Sequence, residues 1–179
     1  MDKIAYITPR FAVTGALTAA DFRLIAAMGF RSVVNNRPDG EEAGQLTGAD
    51  EAALAAAHGL AYRFIPAPKL ELFSDGVVTA MQAALAELPG PVLAHCKAGM
   101  RSAIAWSAAS SHSQPLDEVM AKVAAAGFDF DFLRDDFEAL VLPSATAAEY
   151  VPAADTALPG AVPTAAPGVA DARALTRAA

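Results

Sequence analysis

Pro91-Val92-Leu93-Ala94-His95-Cys96-Lys97-Ala98-Gly99-Met100-Arg101-Ser102 reads as a strand, a tight loop and the start of a helix. Its first half is a continuous apolar run, the pattern of a strand covered on both faces in a parallel sheet. Gly99 then permits a sharp turn, and a helix is expected from about Arg101. In open α/β sheets ligands lie beyond the carboxyl ends of the strands, so a site belongs just after Leu93. N–H groups of the loop and of the helix N-terminus would converge there, attracting an anion and stabilising a thiolate at Cys96.

The flanking sequence repeats the alternation. Tyr6-Ile7, Phe11-Ala12-Val13, Ser32–Asn35 and Ala61–Pro66 read as further strands. Thr18 and Asp21 signal the cap of a helix that turns Phe22, Ile25 and Met28 inward and stops at Gly29. Thr47 and Asp50 open an Ala-rich helix ending near Gly59. Ser74 opens another, with Val77, Met81, Leu85 and Leu88 inward. Two more are expected at about 114–126 and 131–141. Strands alternating with helices imply an α/β layer fold with a mainly parallel sheet.

Composition bounds the rest. A chain of 179 residues suits one domain. Residues 1–142 carry the periodic signal; residues 143–179, rich in Ala and Pro, are expected to be a disordered tail. Apolar residues reach 54%, inflated by Ala, without a run of 18 or more that would span a membrane. The net charge of −7 argues against nucleic-acid binding. A single cysteine and an N-terminus without a signal-peptide pattern point to the cytoplasm. Oligomeric state is left open.

Cys96 is the expected nucleophile. A cysteine behind an apolar strand can be merely a small core residue, but His95, Gly99, Arg101 and Ser102 around it favour chemistry. Arg101 offers a planar fork for an oxyanion. The backbone of Lys97, Ala98, Gly99 and Met100 would line the anion cradle. Ser102 can donate to the thiolate or leaving group, and His95 is expected to bond loop carbonyls. Arg37, beside Pro38-Asp39-Gly40, is a possible substrate ligand at the pocket mouth. Trp106 reads as core, His58 as a helix C-terminal residue and His112 as exposed.

His95 to Ser102 resembles the signature loop of cysteine-dependent dual-specificity phosphatases. Together with Ile7-Thr8-Pro9-Arg10-Phe11, Thr14-Gly15, Asn35-Asn36-Arg37-Pro38-Asp39-Gly40-Glu41 and Phe64-Ile65-Pro66, it resembles more closely the phosphatase-like domain of beta-lactamase-hydrolase-like proteins, over roughly residues 1–110. The resemblance implies a three-layer α/β/α phosphatase-like fold, Cys96 as nucleophile and Arg101 as anion ligand. Some relatives carry a fused metallo-beta-lactamase-like domain. The three histidines here, His58, His95 and His112, are too dispersed for such a centre. No metal and no cofactor is expected.

Two departures divide the functional reading. Four residues, not five, separate Cys96 from Arg101, a spacing that resembles rhodaneses, which carry sulfur on the cysteine. Dual-specificity phosphatases place an acidic Asp after the strand corresponding to Ala61–Pro66, where this chain has Ala67-Pro68-Lys69-Leu70-Glu71. Glu71 or Asp75 could substitute as general acid. Three readings stay open: a hydrolase of phosphate esters, a sulfurtransferase using a persulfide or thiosulfate, and an anion-sensing module without catalysis. All three take a small anionic partner.

Overall fold

The computed structural model describes residues 2–141; the expected tail lies outside them. Five strands, β1 (Ala5–Thr8), β2 (Phe11–Thr14), β3 (Ser32–Asn35), β4 (Ala61–Phe64) and β5 (Val92–His95), form one sheet. Their order is β1-β2-β5-β3-β4. Only the β1–β2 pair is antiparallel; β2–β5, β5–β3 and β3–β4 are parallel. Six α-helices complete the described fold: α1 (Ala19–Ala27), α2 (Gly48–Ala57), α3 (Asp75–Glu87), α4 (Met100–Ser111), α5 (Leu116–Ala125) and α6 (Arg134–Val141).

The two-residue period of each strand sorts side chains onto opposite faces. Val92 and Ala94 of β5, with Phe11, Val13 and Val34, join the core formed with α3, α4, α5 and α6. Leu93, Ala12 and Val33 face a second core with Phe22 and Ile25 of α1 and Ala55 of α2. These two cores are the interiors of a three-layer α/β/α sandwich. The Cys96 loop follows the carboxyl end of the central strand, β5.

Helix α4 is buried from Arg101 to Ser111, which its small residues permit. Ser107 Oγ donates to Ala103 O at 2.9 Å and Ser111 Oγ to Ser107 O at 2.8 Å, so these hydroxyls are bonded along their own helix. Trp106 is core, as expected, and stacks on Phe11 at 6.0 Å between centroids. The caps also hold: Asp21 Oδ2 accepts the Thr18 amide at 2.8 Å, and Thr47 Oγ1 accepts the Asp50 amide at 3.1 Å. Met28 differs from expectation. It is exposed, because α1 ends at Ala27 and the chain turns at Gly29 with φ of 92°. Among the described residues no helix is long and apolar enough to cross a membrane.

Candidate active site

β5 delivers His95 between Thr14 of β2 and Asn35 of β3, and Cys96 follows at once, 1% exposed. The loop is pinned to the chain beyond β2: Ala16 N donates to Lys97 O at 3.3 Å, and Gly15 bridges Ala98. Gly99 caps α4 with φ of 84°, a left-handed conformation that L side chains resist. A Cβ there would also lie 3.4 Å from Thr14 O. Gly99→Ala is therefore expected to cost about 1–2 kcal/mol, read as a lower denaturant midpoint at unchanged m-value.

Arg101 lies in the first turn of α4, 8% exposed. Its Nη1 and Nη2 donate to Oε1 and Oε2 of Glu41, each at 2.7 Å, and Nη1 also donates to Ala67 O at 3.3 Å. Those bonds use three of the five guanidinium N–H groups. Nε–H and the second Nη2–H remain, the other bidentate edge of the fork. The Arg101 proton is held more tightly than usual, chiefly by hydrogen bonding to Glu41; burial opposes this, and attraction to the Cys96 sulfur adds to it. Glu41 responds reciprocally. Its hydrogen bonds to Arg101 hold its carboxyl below the ordinary carboxylate range, against burial.

The pair extends into a chain of alternating charge. Arg37 Nε donates to Glu41 Oε2 at 3.2 Å and Arg37 Nη2 to Glu42 Oε2 at 2.6 Å, while Lys97 Nζ pairs with Glu42 Oε1. Arg37, 6% exposed, is thus buried in this chain of ion pairs rather than solvated.

His95 corrects an expectation. Its imidazole does not bond the loop carbonyls. It shares the parity of Leu93, so it faces the α1/α2 layer, where Nε2 meets Glu51 Oε2 of α2 at 2.8 Å. Both are buried, at 1% and 4% side-chain exposure. Tyr62 of β4 donates its hydroxyl to Glu51 Oε2 at 3.2 Å and accepts from Asn35 Nδ2 at 3.1 Å. Burial, and then the Glu51 charge, raise the Tyr62 pKa, so the phenol stays a donor.

Ser102 Oγ is buried without a hydrogen-bond partner, so the expected donation to the Cys96 sulfur is not formed. Ala98 and Met100 expose their side chains while Gly99 is buried. Glu71 and Asp75 are exposed, and no hydrogen bond joins either to the Cys96 loop. Asp75 opens α3, where an acidic side chain complements the helix dipole. Among the described residues no group of three or more His, Cys, Asp or Glu could hold a metal ion.

Sequence reasoning missed the roles of Glu41, Glu42 and Glu51. A faint signal existed for Glu51: it shares the buried face of α2 with Gly48 and Ala55, a polar residue among small ones at helical spacing.

Residues 3–114 match the family model described as beta-lactamase hydrolase-like protein, phosphatase-like domain. A beta-lactamase hydrolase-like protein of Agrobacterium fabrum is 41% identical over 100 residues, 56% of this chain and 23% of that protein. One from Xylella fastidiosa is 39% identical over 129 residues, 71% of this chain and 30% of that protein. The chain thus spans less than a third of the length of these curated relatives. Among solved structures, a candidate phosphatase from Neisseria meningitidis superposes with a TM-score of 0.65 at 25% identity, covering 76% of this chain and 97% of that one. The active form of Tk-PTP shares the fold, with a TM-score of 0.53 at 20% identity over 77% of this chain and 95% of its own. The chain belongs to the family of the phosphatase-like domain of beta-lactamase hydrolase-like proteins, with the fold of dual-specificity and tyrosine phosphatases.

Proposed function

We propose that this chain is a cysteine-dependent hydrolase of small phosphate esters, working through a covalent intermediate on Cys96. The observation that carries the reading is the Arg101 fork, gripped by Glu41 beside the Cys96 sulfur with its second edge left for an oxyanion. The thiolate of Cys96 attacks phosphorus, an S–P bond forms, and the P–O ester bond breaks with its electron pair leaving on the alcohol oxygen. Water then attacks phosphorus, releasing inorganic phosphate and restoring the thiolate. The loop amides of Lys97 to Met100 and Arg101 stabilise the equatorial oxygens throughout. His95, clamped by Glu51, orients the strand end that presents Cys96.

The leaving oxygen needs a proton unless it is a stable anion. Ala67-Pro68 supplies no acid, so Glu71 or Asp75 would have to turn inward. Aryl phosphates, which leave readily, are therefore the substrates of choice for a first assay.

The four-residue Cys96–Arg101 spacing favours a second reading, sulfur transfer through a Cys96 persulfide. Aryl-phosphate hydrolysis and thiosulfate-to-cyanide transfer are to be measured side by side. Wild type is expected to hydrolyse the ester, with Cys96→Ser losing all turnover. Transfer without hydrolysis would replace the first reading by the second; hydrolysis that survives Cys96→Ser would remove Cys96 from the chemistry.

A further inference from the structure

Two carboxylates stand over the cradle, and they are not equivalent. Glu41 is the more buried, with 28% side-chain exposure, and holds Arg101 by both oxygens. Glu42 has 49% exposure and leaves Arg101 alone; it bridges Arg37 and Lys97. Its carboxyl is held below the ordinary range by hydrogen bonding to Lys97 first and Arg37 second. Two cations converging on one oxyanion form an anion site whose occupant here belongs to the chain itself. Gly40 and Gly44, with φ of 78° and 76°, bracket the segment that carries Glu42. Arg37 keeps its Nε bond to Glu41 if Glu42 leaves, so departure strands no buried charge. Beside the bridge lies a cavity of about 360 Å³, lined among others by Ala16, Leu17, Arg37, Glu42, Gln45 and His95. Gln45 Oε1 and His95 Nδ1, both in that lining, have no hydrogen-bond partner.

We infer that the substrate carries a second anionic group, which displaces the Glu42 carboxylate and sits between Arg37 and Lys97. The inference rests on the cradle around Cys96 taking the first anionic group. The second group can be a phosphate or a carboxylate, since an ammonium and a guanidinium accept either. Glu42 then acts as a selectivity residue: a ligand with one anion leaves it in place, and a ligand with two replaces it.

Titration calorimetry with inorganic phosphate, diphosphate and triphosphate tests this on the full chain. The quantity read is the ratio of affinities, the better polyphosphate over phosphate. In wild type this ratio is expected to be about tenfold, one charge-assisted contact. Glu42→Gln should raise it about tenfold further, and Lys97→Met should bring it close to one. Glu87→Gln, which removes the same charge from an exposed pair with Arg63, should leave the ratio unchanged. Equal gains for phosphate and polyphosphate in Glu42→Gln, an unchanged ratio in Lys97→Met, or no polyphosphate binding would overturn the proposal. Binding needs no turnover, so this outcome is separate from the Cys96→Ser assay that judges the chemistry.

Discussion

Glu41→Ala is expected to lower kcat/KM for an aryl phosphate by about 10²-fold, the scale of losing one preorganised oxyanion donor. The argument is geometric. Arg101 is a long side chain, and its usefulness depends on which edge meets the oxyanion. Glu41 and Ala67 O hold the end edge and so aim the Nε edge. Removing Glu41 also increases the positive charge of the cradle, which by itself would strengthen anion binding. Orientation and field therefore pull apart: kcat should fall while KM stays level or falls. A rise in kcat/KM would mean that Glu41 blocks the cradle instead of arranging it. The pH dependence follows from the same pair. Because Arg101 holds the Glu41 carboxyl below its ordinary range, the stabilisation is fully present above the unfolded-state value and is lost as pH falls through the lower folded-state value. Melting temperature should therefore stay level from neutrality down to the ordinary carboxylate range and decline below it, with a smaller decline in Glu41→Ala.

The second large effect is on stability. Glu51→Ala is expected to destabilise the domain by about 3 kcal/mol, the scale of leaving buried polar groups without their hydrogen-bond partner. Two groups lose their acceptor together: the His95 imidazole, 1% exposed, and the Tyr62 hydroxyl. A urea titration would show it as a lower midpoint. Glu51→Gln keeps an acceptor oxygen in the same place and should recover more than half of the loss. A change under 1 kcal/mol in Glu51→Ala would mean that water replaces the carboxylate and that the pair holds nothing in place.

The two kinds of feature differ in how far along the chain their causes lie. Strand β5, the αL turn at Gly99 and the start of α4 were legible because apolar runs, glycine punctuation and helix caps act within a few residues. The same holds for the cap at Thr47–Asp50 and for the inward face of α3. Met28 was misjudged because helical periodicity was read one residue past the point where the chain leaves the helix. The partner of His95 was not legible, since an imidazole bonds whatever the neighbouring layer offers.

By itself the sequence determined an α/β sandwich with Cys96 and Arg101 on one tight loop at the end of its central strand, because hydrophobic period and turn chemistry are local. Only the tertiary structure decided what each charge meets. The pairs Glu51–His95, Glu42–Lys97 and Glu41–Arg101 join residues 44, 55 and 60 positions apart. Sheet order sets such meetings: β3 lies beside β5, with β4 beyond it, and that brings the β3–α2 loop and α2 against the cysteine loop.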